Sequence, residues 1–153
     1  MPAKNLPAPL QAHLGYWLRT VSNAVSQSFA RQVEAAGVTV AEWVFLRMLY
    51  DVEQIAPSAL AERMGFTKGA ISRLADRLVD KGLVARKANS GDKRAHTLAL
   101  KPEGRTLVPR LAALADQNDA AFFNALDENE RQQLKRLLAK IVSERELTNV
   151  PID

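Results

Sequence analysis

The chain has no cysteine among its 153 residues. Disulfide bonds, thiol-based redox sensing and cysteine metal sites are therefore excluded together. Long hydrophobic runs are missing as well, since no apolar stretch approaches the roughly 20 residues that a membrane-spanning helix requires. The N-terminal segment has one early lysine but no apolar core followed by a cleavage site. We therefore expect a cytoplasmic protein that has no membrane partner.

The sequence patterns of common catalytic and metal sites are also missing. The glycines are scattered and form no phosphate-binding loop, and neither a Gly-x-Ser-x-Gly nor a His-Glu-x-x-His motif occurs. His13 and His96 are the only histidines, and they lie too far apart in sequence to show the spacing of paired metal ligands. We therefore expect neither an enzyme nor a bound metal or cofactor.

Composition and periodicity predict a mainly helical domain. Hydrophobic residues make up 47% and charged residues 25% of the chain, which is the balance of an ordinary globular protein of one domain, residues 1–153. The apolar spacing predicts six helices, over residues 10–36, around 44–52, and over 57–64, 68–81, 102–126 and from 127 onward. Two short strands are predicted over residues 83–88 and 96–100, with turn chemistry over 89–92.

Residues that begin and end helices support these boundaries. Pro57 suits the first position of the third helix, and Gly65 suits its end. Thr67 is placed to cap the fourth helix with its hydroxyl. Asp127 and Glu130 have the spacing of a capping box, with aspartate in place of the usual serine or threonine, at the start of the sixth helix.

Residues 57–100 have the order of a winged helix-turn-helix, with two short helices followed by a hairpin. This arrangement is used mainly to hold a helix in the major groove of DNA. Residues 68–101 contain nine basic and only three acidic side chains, whereas the net charge of the whole chain is +4. Positive charge is thus concentrated on the motif that would meet phosphates, so we expect DNA binding.

The fourth helix is the predicted recognition helix. Its first turn combines a hydroxyl, an ammonium group and backbone N–H groups, which suits a phosphate. Arg73, about one turn further on, can bond a guanine edge through two N–H groups, and Arg77 is expected to contact the DNA backbone. The alternative is a solvated basic helix face. The candidate DNA contacts on this helix are Thr67, Lys68, Gly69, Ser72, Arg73 and Arg77.

Several motifs taken together resemble the MarR family of bacterial transcription regulators, over roughly residues 10–147. The resemblance is carried by residues 60–65, 71–78, 81–84, 91–95 and 98–104. It implies a mainly α-helical fold with a small β-hairpin wing. The DNA-binding region would be residues 40–101, and the N- and C-terminal dimerisation helices would be residues 10–36 and 102–147.

The start of the fifth helix departs from the family pattern. A threonine usual in the family is replaced by Lys101, which is followed by Pro102, while the expected Gly104 is present. We expect the hydroxyl cap to be lost with a small local effect on stability. Pro109 lies inside this helix, so we also expect a kink there or a later start of the helix.

Three long helices with apolar stripes lie outside the compact motif. One small winged domain has too little surface to cover all of them. We therefore expect a homodimer in which the N- and C-terminal helices of two chains interlock. The alternative is that these helices fold back on their own domain.

The wing carries the second set of candidate DNA contacts. Arg94 at the hairpin tip can enter a narrow minor groove and be attracted by its negative potential. The resemblance implies that Asp92 orients a wing arginine, and Arg86 on the preceding strand could share that carboxylate. Lys93 would add attraction to phosphates. The alternative is an ordinary polar hairpin tip.

The resemblance also implies an effector site for small phenolic or aromatic acids between the dimer helices and the winged region. Tyr16 and Arg19 can share a face of the first helix, while Trp17 points elsewhere, and Trp43 and Arg47 share a face of the second. Aromatic walls and an arginine can hold an aromatic carboxylate. The alternative for each of these residues is ordinary packing or a solvated charge.

The predicted function is therefore a sequence-specific transcription regulator. We expect a homodimeric repressor that binds a palindromic operator in double-stranded DNA and is released by a small aromatic or phenolic ligand. The alternative is an effector-independent DNA-binding or architectural protein. Both contain the wing, so charge alone does not distinguish them.

Overall fold

The computed structural model describes residues 6–89 and 92–152, with residues 89 and 92–95 described by their backbone only. A short 3-10 helix, Leu10–Ala12, comes first. Six α-helices and a two-stranded antiparallel sheet follow within these residues. They are α1 (Leu14–Ala35), α2 (Val40–Tyr50), α3 (Pro57–Met64), α4 (Lys68–Asp80), β1 (Val84–Asn89), β2 (Asp92–Leu100), α5 (Pro102–Phe123) and α6 (Glu128–Glu144).

The predicted helix boundaries at α3, α4 and α6 are confirmed. Pro57 is in the first turn of α3, and Gly65 ends that helix with a φ of 69° in the left-handed region. The hydroxyl of Thr67 accepts a hydrogen bond from the backbone N–H of Ala70 at 3.1 Å. The capping box at α6 is complete, since the Asp127 carboxylate and the Glu130 side chain each bond the other residue's backbone N–H.

The first helix was predicted to start at Leu10, and it starts later. The backbone of His13 is extended, with φ −98° and ψ 130°, so the helical hydrogen bonds begin anew at Leu14. The indole N–H of Trp17 donates a hydrogen bond to the carbonyl of Gln11 at 2.8 Å. This bond links the short 3-10 helix to α1.

The hairpin is longer than predicted, because β2 begins at Asp92 rather than His96. Val84 pairs with Leu100 and Ala88 with His96, and the register shifts once, between Ala88 and Asn89. Buried residues at the base of the hairpin set this register, and the ladder then extends outward over residues of low strand propensity. A short bridge from Ile55 to Leu98 adds a third segment beside β2.

One hydrophobic core lies beneath the helix-turn-helix and the base of the wing. It is built from α2, α3, α4, the hairpin and the N-terminal half of α5, together with Val33 of α1. The apolar faces predicted for α2, α3 and α4 point into it. Its largest fully buried apolar side chains are Phe45, Leu46, Leu49, Leu60, Met64, Ile71, Leu78, Leu98 and Leu111.

Helix α5 leaves this core as one continuous helix, so the prediction of a later start is wrong. It begins at Pro102, and Lys101 before it makes no side-chain cap, as expected from the missing hydroxyl. Pro109 is exposed, so its ring is accommodated on the solvent side of the helix. A Cβ at Gly104 would collide with the carbonyl oxygen of Leu83, so only glycine allows α5 to approach the start of the wing this closely.

The terminal helices are packed very differently from the core. None of the residues of α6 is buried. The first half of α1 is exposed, whereas its last turns dock on the core through Val33. We call the exposed apolar side chains of these helices the apolar stripe, namely Leu14, Trp17, Leu18 and Val21 of α1 and Leu137, Leu138, Ile141 and Val142 of α6. Among the residues that the structure describes, no helix is both long enough and apolar enough to cross a membrane.

Candidate nucleic-acid interface and the neighbouring cavity

Helix α4 has one buried face and one exposed face, as the sequence predicts. Ile71, Leu74 and Leu78 are buried in the core. Arg73 and Arg77 are exposed on the opposite face. Because apolar residues recur here with the helical period, core packing determines which side chains face solvent. All six of the predicted recognition-helix contacts, Thr67, Lys68, Gly69, Ser72, Arg73 and Arg77, lie on the exposed side.

The N-terminus of α4 is open to an anion. The backbone N–H groups in the first turn of a helix have no acceptor within the helix. The Thr67 hydroxyl accepts a hydrogen bond from the backbone N–H of Ala70. The backbone N–H groups of Lys68 and Gly69 point outward along the helix axis, where a phosphate is favoured. A Cβ at Gly69 would find only the Thr67 hydroxyl, 4.0 Å away, so nothing in the described chain requires glycine there.

Arg86 joins the wing to α4. Its Nη2 bonds Oδ1 of Asp76 on the exposed face of α4, and whether it also shares the carboxylate of Asp92 stays a prediction. The side chains are 34% and 61% exposed, so water screens the pair. It joins the base of the wing to the recognition helix. The side chains of Asp92, Lys93 and Arg94 lie outside the described residues, and their predicted roles stay predictions.

Lys81 is the second basic residue of the motif that has an acidic partner. Its Nζ lies 2.7 Å from Oε2 of Glu42 and 2.8 Å from the carbonyl oxygen of Gly37. The side chain of Glu42 is only 2% exposed. Sequence analysis missed this pair. The signal was a carboxylate on the same face of α2 as Phe45 and Leu46, because a buried carboxylate requires a partner.

The residues predicted to bind an effector do not converge on one place. The rings of Tyr16 and Trp17 meet edge to face, with 5.4 Å between their centroids, and the Trp17 indole N–H donates to the carbonyl of Gln11. Both lie with exposed Arg19 on the outer part of α1. Trp43 packs against Phe29 at 6.4 Å. Arg47 is 2.7 Å from the Asp51 carboxylate and lies over the Tyr50 ring.

A cavity of about 260 Å³ lies between α1, α2 and α5, and of the five predicted residues only Trp43 lines it. The amide of Asn118 is held at its edge, accepting from Gln32 at 3.1 Å and donating to the carbonyl of Val25 at 3.2 Å. Asp119 supplies the charged group of the lining. The lining residues are Val25, Ser26, Phe29, Val40, Trp43, Val44, Ala115, Asn118, Asp119 and Pro151.

A larger hollow of about 480 Å³ lies between α5 and α6. Phe123, Leu134 and Leu138 form its apolar wall, and it opens onto the apolar stripe. Among the side chains that the structure describes, no three carboxylates or histidines gather closely enough to hold a metal ion.

Comparison with known proteins relates this arrangement to DNA-bound proteins. A family model described as the MarR family matches residues 36–95. A helix-turn-helix-type transcriptional repressor of Mycobacterium tuberculosis is 30% identical over 133 residues, covering 87% of this chain and 96% of the relative. The structure of a mutant of E. coli MarR complexed with operator DNA is 25% identical with a TM-score of 0.74, covering 84% of this chain and 93% of that one. The S. aureus MepR–DNA complex is 25% identical with a TM-score of 0.76, covering 86% and 98%.

Proposed function

The chain belongs to the MarR family of DNA-binding transcription regulators, and from that premise we propose that it is a homodimeric repressor of a palindromic operator, released by a small aromatic ligand. The observation that carries the proposal is the exposed face of α4, with an open helix N-terminus at Lys68 and two exposed arginines, Arg73 and Arg77. Relatives that match most of the chain are named transcriptional repressors, and two structures of the same fold contain DNA.

Each part of α4 has a distinct role in this proposal. The backbone N–H groups of Lys68 and Gly69 bind a phosphate and fix the register of the protein on DNA. Arg73 reads a guanine through two parallel N–H bonds, and Ser72 beside it contacts a neighbouring base edge. Arg77, one turn further from the N-terminus, neutralises a backbone phosphate.

The wing supplies the minor-groove contact. Arg94 enters the groove, Asp92 orients it and Lys93 attracts phosphates. Arg86 serves in another way, because its bond to Asp76 fixes the base of the wing to α4 and neutralises an acid on the DNA-facing side. The wing and the recognition helix then approach the duplex as one body.

The apolar stripe supports the homodimer. Ile141 of α6 is 53% exposed and Leu14 of α1 is 87% exposed, and neighbouring apolar residues share these faces. Apolar faces left exposed along two helices are typical of an interaction site. A second copy of the chain covers it by two-fold symmetry and places two recognition helices about 34 Å apart, one turn of DNA. Sedimentation should show a dimer at micromolar concentration, and a stable monomer would contradict this part of the proposal.

Selection from a pool of random duplexes tests the DNA-binding part directly. The expected product is an inverted repeat with half-site centres about one helical turn apart. Enrichment of no sequence, with all duplexes bound alike, would instead support the architectural alternative.

Variants on the selected duplex then assign the contacts. Arg73→Ala should relax sequence preference and cost roughly 1–3 kcal/mol of binding free energy. Lys93→Ala should weaken all duplexes about equally and reduce the salt slope by roughly one. Arg94→Ala should have the largest effect, because it loses the minor-groove contact and leaves Asp92 without its partner. Arg110→Ala, an exposed charge-matched change on α5, should leave binding near wild type.

The proposed effector is an aromatic molecule bound beside Trp43. Phe29 and Trp43 form an aromatic wall in the cavity, and Ser26 and Asn118 offer hydrogen bonds. An acid bound through Arg47, as first expected, would compete with Asp51 for the guanidinium group. Release requires tighter binding to the DNA-incompetent form, and a tenfold loss of DNA affinity needs only about 1.4 kcal/mol of difference.

Tryptophan fluorescence distinguishes these binding modes. Trp17→Phe leaves Trp43 as the single reporter, and it is titrated with salicylate and, for comparison, the neutral salicylamide. Saturable quenching that survives Arg47→Ala supports binding in the cavity, whereas quenching lost in Arg47→Ala supports the arginine-bound acid. If neither compound changes fluorescence or releases the selected duplex, the effector-independent alternative gains support.

A further inference from the structure

We propose that Glu42 and Lys81 form a positioning pair for DNA recognition, in which a buried carboxylate on α2 holds the C-terminal end of the recognition helix. The inference rests on the proposed function of α4. It assigns a role in DNA recognition to two residues that themselves make no contact with the bases.

The pair fixes one end of α4 to two other parts of the fold. Lys81 is the residue at which α4 ends, and its ammonium group bonds both the Glu42 carboxylate and the carbonyl oxygen of Gly37. Gly37 lies in the turn between α1 and α2, and Glu42 lies in the first turn of α2. One ammonium group therefore joins the end of α4 to the turn before α2 and to the first turn of α2, which lie 44 and 39 residues earlier in the chain.

The Glu42 carboxylate bonds Lys81 rather than the backbone next to it. Thr39 caps α2 by accepting from the backbone N–H of Glu42 at 3.1 Å, and Thr-x-x-Glu is the sequence of a capping box. In a complete box the glutamate would bond the N–H of Thr39, but here the carboxylate bonds Lys81 instead. The Lys81 side chain is 38% exposed, so water screens the pair and its net contribution to stability is small. The best-attested use of an ion pair with a buried member is to specify one arrangement.

Orientation of α4 matters more for base reading than for phosphate attraction. The helix has 13 residues and is about 20 Å long, so a small tilt at its C-terminal end displaces the Arg73 guanidinium. A bidentate bond to guanine tolerates a displacement of only about 0.5 Å. Attraction to phosphates varies slowly with distance, so it survives the same tilt. Loss of the pair should therefore reduce operator binding selectively.

A simpler hypothesis is that Lys81 is one more phosphate contact and Glu42 merely opposes it. The two hypotheses predict opposite signs for Glu42→Gln. Removing a negative charge near DNA should strengthen binding to every duplex if only electrostatics matters. If the carboxylate positions α4, the same change should weaken binding to the operator.

The test compares affinity for the selected duplex with affinity for a scrambled duplex of equal length. Glu42→Gln should lower operator affinity on the order of tenfold, as expected for loss of the Arg73 base contact, and leave the scrambled duplex and the salt slope unchanged. Lys81→Arg, which keeps the charge, should retain most of the affinity. The control Glu62→Gln removes an exposed acid of α3 and should not lower operator affinity.

Thermal unfolding of each variant separates positioning from a loss of folding. If Glu42→Gln does not fold, the double variant Glu42→Gln with Lys81→Met, which leaves no buried charge, is measured instead. A folded variant that binds the operator as tightly as wild type, or loses equal affinity for both duplexes, would overturn the proposal. Inability of the wild type to prefer any duplex would instead overturn the proposed function on which the inference rests.

Discussion

The helix-turn-helix region and the terminal helices contain similar apolar residues that meet opposite environments. Leu46, Leu60 and Leu78 are completely buried by their own chain, whereas Leu137 of α6 is half exposed. Both sets of leucines recur with the helical period, so periodicity identifies a face that must be covered without identifying what covers it. The helix-turn-helix region is packed as a complete core, whereas the terminal helices leave apolar side chains exposed.

Helix α1 contains the boundary between the two regions. Leu14 near its start is 87% exposed, and Val33 near its end is fully buried. Because one continuous helix belongs to both regions, the proposed interface and the core would be connected through it.

The largest expected effect comes from placing a charge in the apolar stripe. Leu138→Asp should abolish the proposed dimer, because the carboxylate would be buried against the partner without a counterion. Sedimentation at micromolar concentration measures this directly. Gln133→Asp adds the same charge at an exposed position elsewhere on α6 and should leave the dimer intact. A Leu138→Asp protein that stays dimeric would show that the interface lies elsewhere.

A matched pair of core and stripe substitutions sharpens the same comparison. Leu46→Ala should lower the free energy of unfolding by about 2–5 kcal/mol through the cavity that it creates. Ile141→Ala should lower the apparent melting temperature by an amount that depends on protein concentration, because its contacts form only on association. Thermal melts over a roughly hundredfold range of protein concentration distinguish the effect of Leu46→Ala from that of Ile141→Ala. If Ile141→Ala lowered the melting temperature by the same amount at every protein concentration, Ile141 would not gain its contacts on association.

A smaller effect is expected where α4 begins. Thr67→Ala should cost about 1 kcal/mol of stability by removing the acceptor for the Ala70 N–H. Helix α5 begins without a side-chain cap. Lys101→Thr adds a capping hydroxyl there and should raise stability slightly. Chemical denaturation measures both changes. Equal stability of the two variants would mean that these caps do not control the ends of their helices.

The smallest expected effect concerns acid pH at α6. A hydrogen bond from Gln132, and then the hydrogen bond and charge of Arg131, lower the pKa of Glu128 from its ordinary value of 4.5. A lowered pKa in the folded state stabilises the protein at pH above that ordinary value, and the contribution is lost as the pH falls through the folded-state pKa. Glu128→Gln should remove this slight acid dependence of thermal unfolding. The Glu128 side chain is 72% exposed, so an unchanged core is expected.

Local chemistry made much of this fold predictable. Pro57, Gly65, Thr67 and Asp127 each satisfy or terminate the backbone next to them, so their effect could be recognised without knowing the tertiary structure. The exposed face of α4 was predictable for a similar reason, since the period of its buried residues determines which side chains face outward. The bases and phosphates assigned to those side chains stay predictions.

Contacts between distant residues could not be predicted. Arg86 bonds Asp76 across the wing, and Lys81 bonds Glu42 from 39 residues away, because packing of whole elements brings these groups together. The effector residues were grouped by helical spacing alone. Spacing places Trp43 and Arg47 on one face, but the tertiary structure puts Trp43 against a cavity and Arg47 against Asp51.

Pro109 removes one helical hydrogen bond from α5 between two places where the helix is held by other elements. Proline has no N–H, so the carbonyl of Arg105 lacks the bond that would stiffen the helix there. On one side Gly104 is pressed against Leu83, and on the other Asn118 is bonded to α1. Val108 and Leu111, on either side of Pro109, are buried in the core, so side-chain packing holds the helix where this hydrogen bond is missing. In the proposed dimer, a movement of the terminal helices would therefore reach the core through a helix rather than through a linker.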